Sequence, residues 1–96
     1  MGFFDRFRRP KTDDETARRT QLLRGGRITD GTIFDVITDE AGSITAVFFR
    51  YNISGVDYES SQTLDDAQRQ HESDYVPGAR IIVRYHPHQP GNSVVV

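Results

Sequence analysis

Ile44-Thr45-Ala46-Val47-Phe48-Phe49-Arg50-Tyr51-Asn52-Ile53, then Ser54-Gly55, then Val56-Asp57-Tyr58-Glu59-Ser60-Ser61-Gln62-Thr63, is the stretch that decides the fold. The first ten residues form the most apolar run in the chain and are rich in β-branched and aromatic side chains. Two such runs joined by a short Gly-containing loop read as a tight β-hairpin. Alternation puts Val47, Phe49, Tyr51 and Ile53 on one face of the first strand and Ile44, Ala46, Phe48, Arg50 and Asn52 on the other. Both faces carry apolar residues. An antiparallel strand of this kind needs a cover on its second side, which the segment 13–24 or a second subunit could supply.

Upstream, Ile28 to Thr38 reads as a strand and Asp39 to Ser43, with Asp39, Gly42 and Ser43, as its turn into Ile44. Downstream, Leu64 to Asp74 is polar and has no apolar face; it reads as loop or short helix, with Asp65 and Gln68 able to cap a turn. Pro77-Gly78 marks a turn, Arg80 to His86 alternates as a strand, and Ser93 to Val96 reads as a terminal strand after the breakers Pro87, Pro90 and Gly91. In the fourth strand Ile81, Val83 and Tyr85 should face the core, leaving Arg80, Ile82, Arg84 and His86 outside. Five short strands without βαβ alternation predict a mainly β domain: a small five-stranded antiparallel barrel, SH3-like or oligonucleotide-binding-like, preceded by a short N-terminal helix.

That helix is read over 13–24. Thr12 with Glu15 forms a capping box, and Asp13, Asp14 and Glu15 suit the positive end of the helix dipole. Gly25 and Gly26 should end it in the left-handed conformation. Its apolar stripe is thin, only Ala17, Leu22 and Leu23, so the helix should lie on a surface.

A chain of 96 residues buries roughly 60 to 65% of its unfolded surface, enough for one core but not for a cleft between lobes. Enzymes built around large cofactors are therefore disfavoured, and no cofactor is expected. With no cysteine, a disulfide scaffold, a thiolate zinc site and a thiol nucleophile are excluded together. There is neither a membrane-spanning apolar run nor the apolar stretch of a signal peptide, which predicts a cytoplasmic protein. Arg6 stands where an N-myristoylation signal after Gly2 would want Ser or Thr.

Charge is divided along the chain. Residues 1–27 hold eight basic and four acidic residues, and residues 28–96 hold four basic and ten acidic ones, net +4 against net −6. A basic arm and helix (1–26) thus precede an acidic barrel (27–96). Within the arm, Phe3, Phe4 and Phe7 fall at i, i+1 and i+4 among Arg6, Arg8, Arg9 and Lys11. Aromatic insertion with cationic attraction would make an interfacial anchor on anionic lipid; the other readings are docking on the barrel or on a neighbouring protomer, and a disordered tail.

Several segments together resemble the bacterial family described as a domain of unknown function, DUF3592. They are Gly31-Thr32-Ile33, the hairpin Tyr51-Asn52-Ile53-Ser54-Gly55-Val56-Asp57-Tyr58, and Tyr75-Val76-Pro77-Gly78 leading into Val83-Arg84-Tyr85-His86-Pro87-His88-Gln89-Pro90. In the last of these His86 replaces the family's usual Asp. The resemblance covers roughly residues 22–96 and implies a small β domain, often near a membrane, with no established catalytic activity. It transfers no functional residue.

Other chemistry is thinly represented. His86 and His88 lie on one side of an extended chain, but only His71 could add a ligand, short of what zinc needs. Ser60, Ser61 and Thr63 lie near Asp65 and His71 in sequence without any nucleophile-elbow pattern, and no Gly-rich phosphate loop is present. Phe48 with Arg50, and Arg84 with Ile82 and His86, could form an aromatic and basic face for single-stranded nucleic acid. The acidic balance of the barrel opposes a polyanion. The leading expectation is a non-enzymatic interaction module for a protein partner, a second copy or a membrane surface; the alternative is a single-stranded nucleic-acid-binding barrel.

Overall fold

A computed structural model describes residues 15–96. Its elements are helix α1 (15–25), strands β1 (Arg27–Thr38), β2 (Ile44–Ile53) and β3 (Val56–Thr63), the short helix α2 (Asp66–Arg69), a 3-10 turn (Glu72–Tyr75), and strands β4 (Arg80–His86) and β5 (Gln89–Val95). All strand pairs are antiparallel, in the order β3-β2-β1-β4-β5. The sheet then curls until its two outer strands meet. Tyr58 lies against Gly91, and Gln62 bonds to Val95, so β3 and β5 run side by side in the same direction. The result is a nearly closed barrel whose connectivity, a three-stranded meander followed by a helical segment and a hairpin, is of the oligonucleotide-binding rather than the SH3-like kind.

The turns follow their sequences. Ser54 and Gly55 both take positive φ, at 52° and 87°, as a two-residue hairpin loop matched to strand twist requires. Asp39 bends the first hairpin by accepting the amides of Ala41 and Ser43 through Oδ1. At Pro77-Gly78 the amide of Ala79 donates to the Val76 carbonyl and Gly78 has φ 91°, a turn with Pro and Gly where their backbones fit best.

Inside the barrel Ile33, Val47, Phe49 and Val83 are wholly buried, joined by Ile44, Tyr51, Leu64, Ile81 and Val95, with Tyr85 packed at the margin. The inward phase read for β4 and for Val47, Phe49 and Tyr51 on β2 is therefore the observed one. Ile44 departs from its expected outward position because the 3-10 turn closes that end of the barrel, where Glu72 Oε2 accepts the Ile44 amide at 2.7 Å.

Three further expectations need correction. The helix does not end on left-handed glycines: Gly25 and Gly26 are not among the positive-φ glycines, and the Gly26 amide donates to the Leu22 carbonyl as in regular helix. What Gly26 provides is closeness, since a Cβ there would stand 2.6 Å from the Leu22 carbonyl oxygen and 3.2 Å from that of Tyr85. Nor does the stripe Ala17, Leu22, Leu23 face the barrel; only Leu22 is buried. Finally, β5 begins at Gln89, not Ser93. Pro90 and Gly91 are tolerated in it because β5 is an outer strand, and the register slips between Tyr85 and His86 to absorb them. The capping-box Thr12 and residues 13 and 14 lie outside the described residues.

Candidate docking face

The outer surface of β1, β2 and β3 carries the most organised group of exposed side chains. A register shift between Ile33 and Asp35 makes Phe34 an extra residue on β1, and it emerges beside Phe48 of β2 with ring centroids 6.2 Å apart. The Arg50 guanidinium lies 4.8 Å from the centroid of the Phe34 ring, and its Nε and Nη2 donate to Glu59 Oε2 at 3.0 and 2.8 Å. A cation held over an aromatic face and neutralised by a carboxylate is fixed in direction without becoming a free positive charge. Phe34 stays 40% exposed and Ile37, further along β1, 49%.

Helix α1 stands beside this surface rather than on it. Its seat is largely polar. Arg18 donates to Asn92 Oδ1 at 2.7 Å and to the Ser93 carbonyl at 2.9 Å while paired with Glu15, and Arg19 reaches Asp65 and Gln68. Leu22 and Val94 are both buried yet lie outside the cluster that fills the barrel. The helix thus seals the meeting of β3 and β5 and leaves the outer face of β2 uncovered, so the cover expected on the second face of β2, from segment 13–24 or a second subunit, is supplied by the helix only at its margin. Between them runs an open cleft of about 850 Å³, with Ile37, Ala46, Phe48, Ser61 and Thr63 on one side and Glu15, Thr16, Arg18 and Arg19 on the other.

Beneath the helix the barrel is closed by side chains. Gln62 receives the Val95 amide on Oε1 at 2.8 Å and donates from Nε2 to the Val95 carbonyl, which also accepts from Gln68 Nε2 at 3.0 Å. Gln68 belongs to a capping box on Asp65, the one sequence signal that hinted at this arrangement. Nearby, the Tyr51 hydroxyl donates to the Pro90 carbonyl and shares a hydrogen bond with Ser93 Oγ at 2.9 Å. Burial holds the Tyr51 phenol above its ordinary pKa, against the opposing pull of the Ser93 hydrogen bond. Tyr75 is raised too, first by burial and then by Asp74.

The sequence-derived candidates are divided by the fold. Phe48 and Arg50 share the face just described. Arg84 does not join them: its cross-strand neighbour is Ile28, whereas that of Arg50 is Thr32, four residues or roughly 13 Å along β1. Arg84 donates to the Gly26 carbonyl at 3.1 Å and helps hold the end of α1. His86 accepts the His88 amide on Nδ1 and belongs to the β4–β5 turn. Phe34 and Ile37 were missed as candidates, because plain alternation cannot show which way a bulged residue points. The arm residues Phe3, Phe4, Arg6, Phe7, Arg8, Arg9 and Lys11 lie outside the described residues.

Ser60 and Ser61 point to opposite faces of β3, Asp65 is engaged by the Gln68 amide and Arg19, and His71 is exposed at the head of the 3-10 turn. Among the described residues no three His, Asp or Glu side chains gather as a metal-ligand set, and no helix is long and apolar enough to cross a membrane. No curated protein and no solved structure is significantly similar to the chain. A family model does match, over residues 25–96, which is the whole barrel from the end of α1 onward; the chain belongs to the family described as Domain of unknown function (DUF3592).

Proposed function

We propose that the chain is a non-enzymatic interaction module that docks a protein partner through the outer face of β1, β2 and β3. The observation that carries this reading is the Phe34–Phe48–Arg50 group, three side chains ordered against one another, with Phe34 and Arg50 exposed and Phe48 half-buried between them and the sheet. Aromatic residues and arginine dominate the energetics of protein interfaces because they bring large, stiff contact area, and an apolar group gathered in one place marks a surface that gains from being covered. The absence of catalysis in this reading is supported by Asp65, engaged in a helix cap, and by the opposed serines of β3. With it goes a cytoplasmic setting, free or against a membrane surface.

The test is affinity capture with the intact protein and with the Phe34→Ser, Phe48→Ser double variant, both checked for an unchanged circular dichroism spectrum. A partner retained by the first and lost by the second is expected; a partner held equally by both would overturn the reading.

One observation favours a second reading, in which the ligand is single-stranded nucleic acid. In oligonucleotide-binding barrels the corresponding strands form the ligand face, and bases stack on aromatic side chains there. Against it, Arg50 is already paired, and Asp35, Asp57 and Glu59 share the outer side of the same strands. Fluorescence anisotropy with a labelled oligothymidylate should show no salt-sensitive binding at moderate ionic strength; a clear isotherm that weakens with salt would favour nucleic acid.

A further inference from the structure

Strand β1 is longer than its ladder with β4. That ladder covers it only over Arg27–Thr32, while β2 follows it to Thr38. Just past the end of β4 the outward groups of Ile33 are still taken, its N–H by the Ala79 carbonyl and its C=O by the Gly78 amide. Beyond Ile33 no backbone partner occupies this edge among the described residues. The Asp39 amide donates to the Ser43 carbonyl, toward β2, so strand alternation turns the backbone groups of Thr38 and Val36 the other way. The Val36 amide is met there only by the Asp35 carboxylate, whose Oδ1 accepts it at 2.9 Å. Thr38 is exposed, and Phe34 and Ile37 beside this edge belong to the docking face.

We infer that this edge of β1, at Val36 and Thr38, accepts an extended basic segment of a protein partner as an added β-strand. The inference rests on the docking reading and gives its partner a backbone conformation and a charge. An edge with unpaired N–H and C=O groups is a template for a further strand, which takes affinity from main-chain bonds and specificity from alternate side chains. Charge selects the strand. Residues 33–49 hold Asp35, Asp39 and Glu40 and no Lys or Arg, and Arg50, on the same face, is already bound to Glu59. The same charges disfavour a second copy, because pairing β1 with β1 sets Asp35, Asp39 and Glu40 against their own counterparts. In the added strand an outward basic residue faces Asp35 and draws its carboxylate off the Val36 amide, which frees that donor for the new ladder. The next outward residue, two places along, is apolar and packs on Ile37.

The probe is a capped peptide of alternating Lys and Val, titrated into the isotope-enriched full chain and followed by amide chemical shifts. One control peptide is N-methylated throughout, which keeps the charge and removes every ladder donor; another carries Glu in place of Lys. Thr38→Pro in the full chain deletes one edge donor and leaves the ladder to β2 in place, a change an outer edge tolerates. Saturable shifts centred on Val36, Ile37 and Thr38 are expected, with nuclear Overhauser effects from the Val36 amide to peptide Hα protons. Affinity should fall roughly five- to tenfold in Thr38→Pro and further with the N-methylated peptide, and the Glu peptide should produce no shifts. Equal shifts from the N-methylated peptide would overturn the inference, since charge alone would explain them. Shifts centred elsewhere on the barrel, or none at millimolar peptide, would overturn it too. Should Thr38→Pro alter the circular dichroism spectrum, the N-methylated peptide on the parent chain decides alone. The Phe34→Ser, Phe48→Ser capture judges the docking face separately, because neither substitution removes a backbone group of Val36 or Thr38.

Discussion

Two adjacent glycines show how little of a residue's role its type discloses. Gly25 has open space where a Cβ would go and lies in regular helix, whereas at Gly26 a Cβ would collide with the Leu22 backbone. Gly25→Ala should therefore stabilise by up to about 0.5 to 1 kcal/mol through the unfolded chain, and Gly26→Ala should destabilise; thermal melts of the two variants should move in opposite directions. Tyr51 gives a prediction in pH. Its phenol pKa is raised in the folded state, so below pH 10 both states hold the proton and the group adds no pH dependence. Above 10 the unfolded chain ionises first, and stability falls as pH climbs toward the folded value. Melting temperature should drop more steeply above pH 10 in the parent than in Tyr51→Phe, and parallel curves would remove Tyr51 from the effect.

Elements were legible in proportion to the locality of their signals. The hairpin turn at Ser54-Gly55, the inward phase of β4 and the capping box on α2 are all written within a few residues, and all are present. The seat of α1 is not local. Reading an apolar stripe missed it because the helix is held by Arg18 and Arg19 reaching partners more than forty residues away, with Leu22 as its one buried side chain. Leu22 should accordingly matter more than a three-residue stripe implied. Leu22→Ala is expected to cost about 2 to 5 kcal/mol, read as loss of helical circular dichroism at temperatures where the tyrosine near-ultraviolet signal of the barrel persists. Simultaneous loss of both signals would mean that helix and barrel form one cooperative unit. The start of β5 was misread for a related reason: Pro and Gly punctuate a sequence, but an outer strand can carry both.

At the scale of the whole molecule, the barrel class followed from strand number and turn spacing, while its closure did not. Which strands become neighbours depends on contacts between distant segments, here Gln62 and Gln68 reaching Val95. The candidate face was half legible. Phe48 and Arg50 stood out, whereas Phe34 needed the bulge and Arg84 was drawn away to α1. The two readings of the arm separate in one variant. If Phe3, Phe4 and Phe7 dock on the barrel, replacing them by Ser should lower the melting temperature by several degrees, since each kcal/mol lost shifts it by about 4 to 8 °C in a domain of this size. An unchanged melting temperature, with loss of sedimentation on anionic vesicles, would instead assign those side chains to lipid.

The closure by Gln62 has one more consequence, in hydrogen exchange. Every other neighbouring strand pair is joined by a backbone ladder, but β3 and β5 are fastened to each other through the Gln62 side-chain amide, which accepts from the Val95 N–H and donates to the Val95 carbonyl. Opening there unzips no strand from its ladder partner and requires that Gln62, Gln68, the Tyr51 hydroxyl and α1 let go. The barrel should therefore breathe along this line as a small cooperative unit. The Val95 amide, which donates across this seam, should exchange in step with those of α1, and earlier than the centre of β1, which is laddered on both sides. Gln62→Leu leaves the Val95 amide unpartnered at a cost of about 1 to 3 kcal/mol and should widen that gap by speeding exchange at Val95 while β1 keeps its protection.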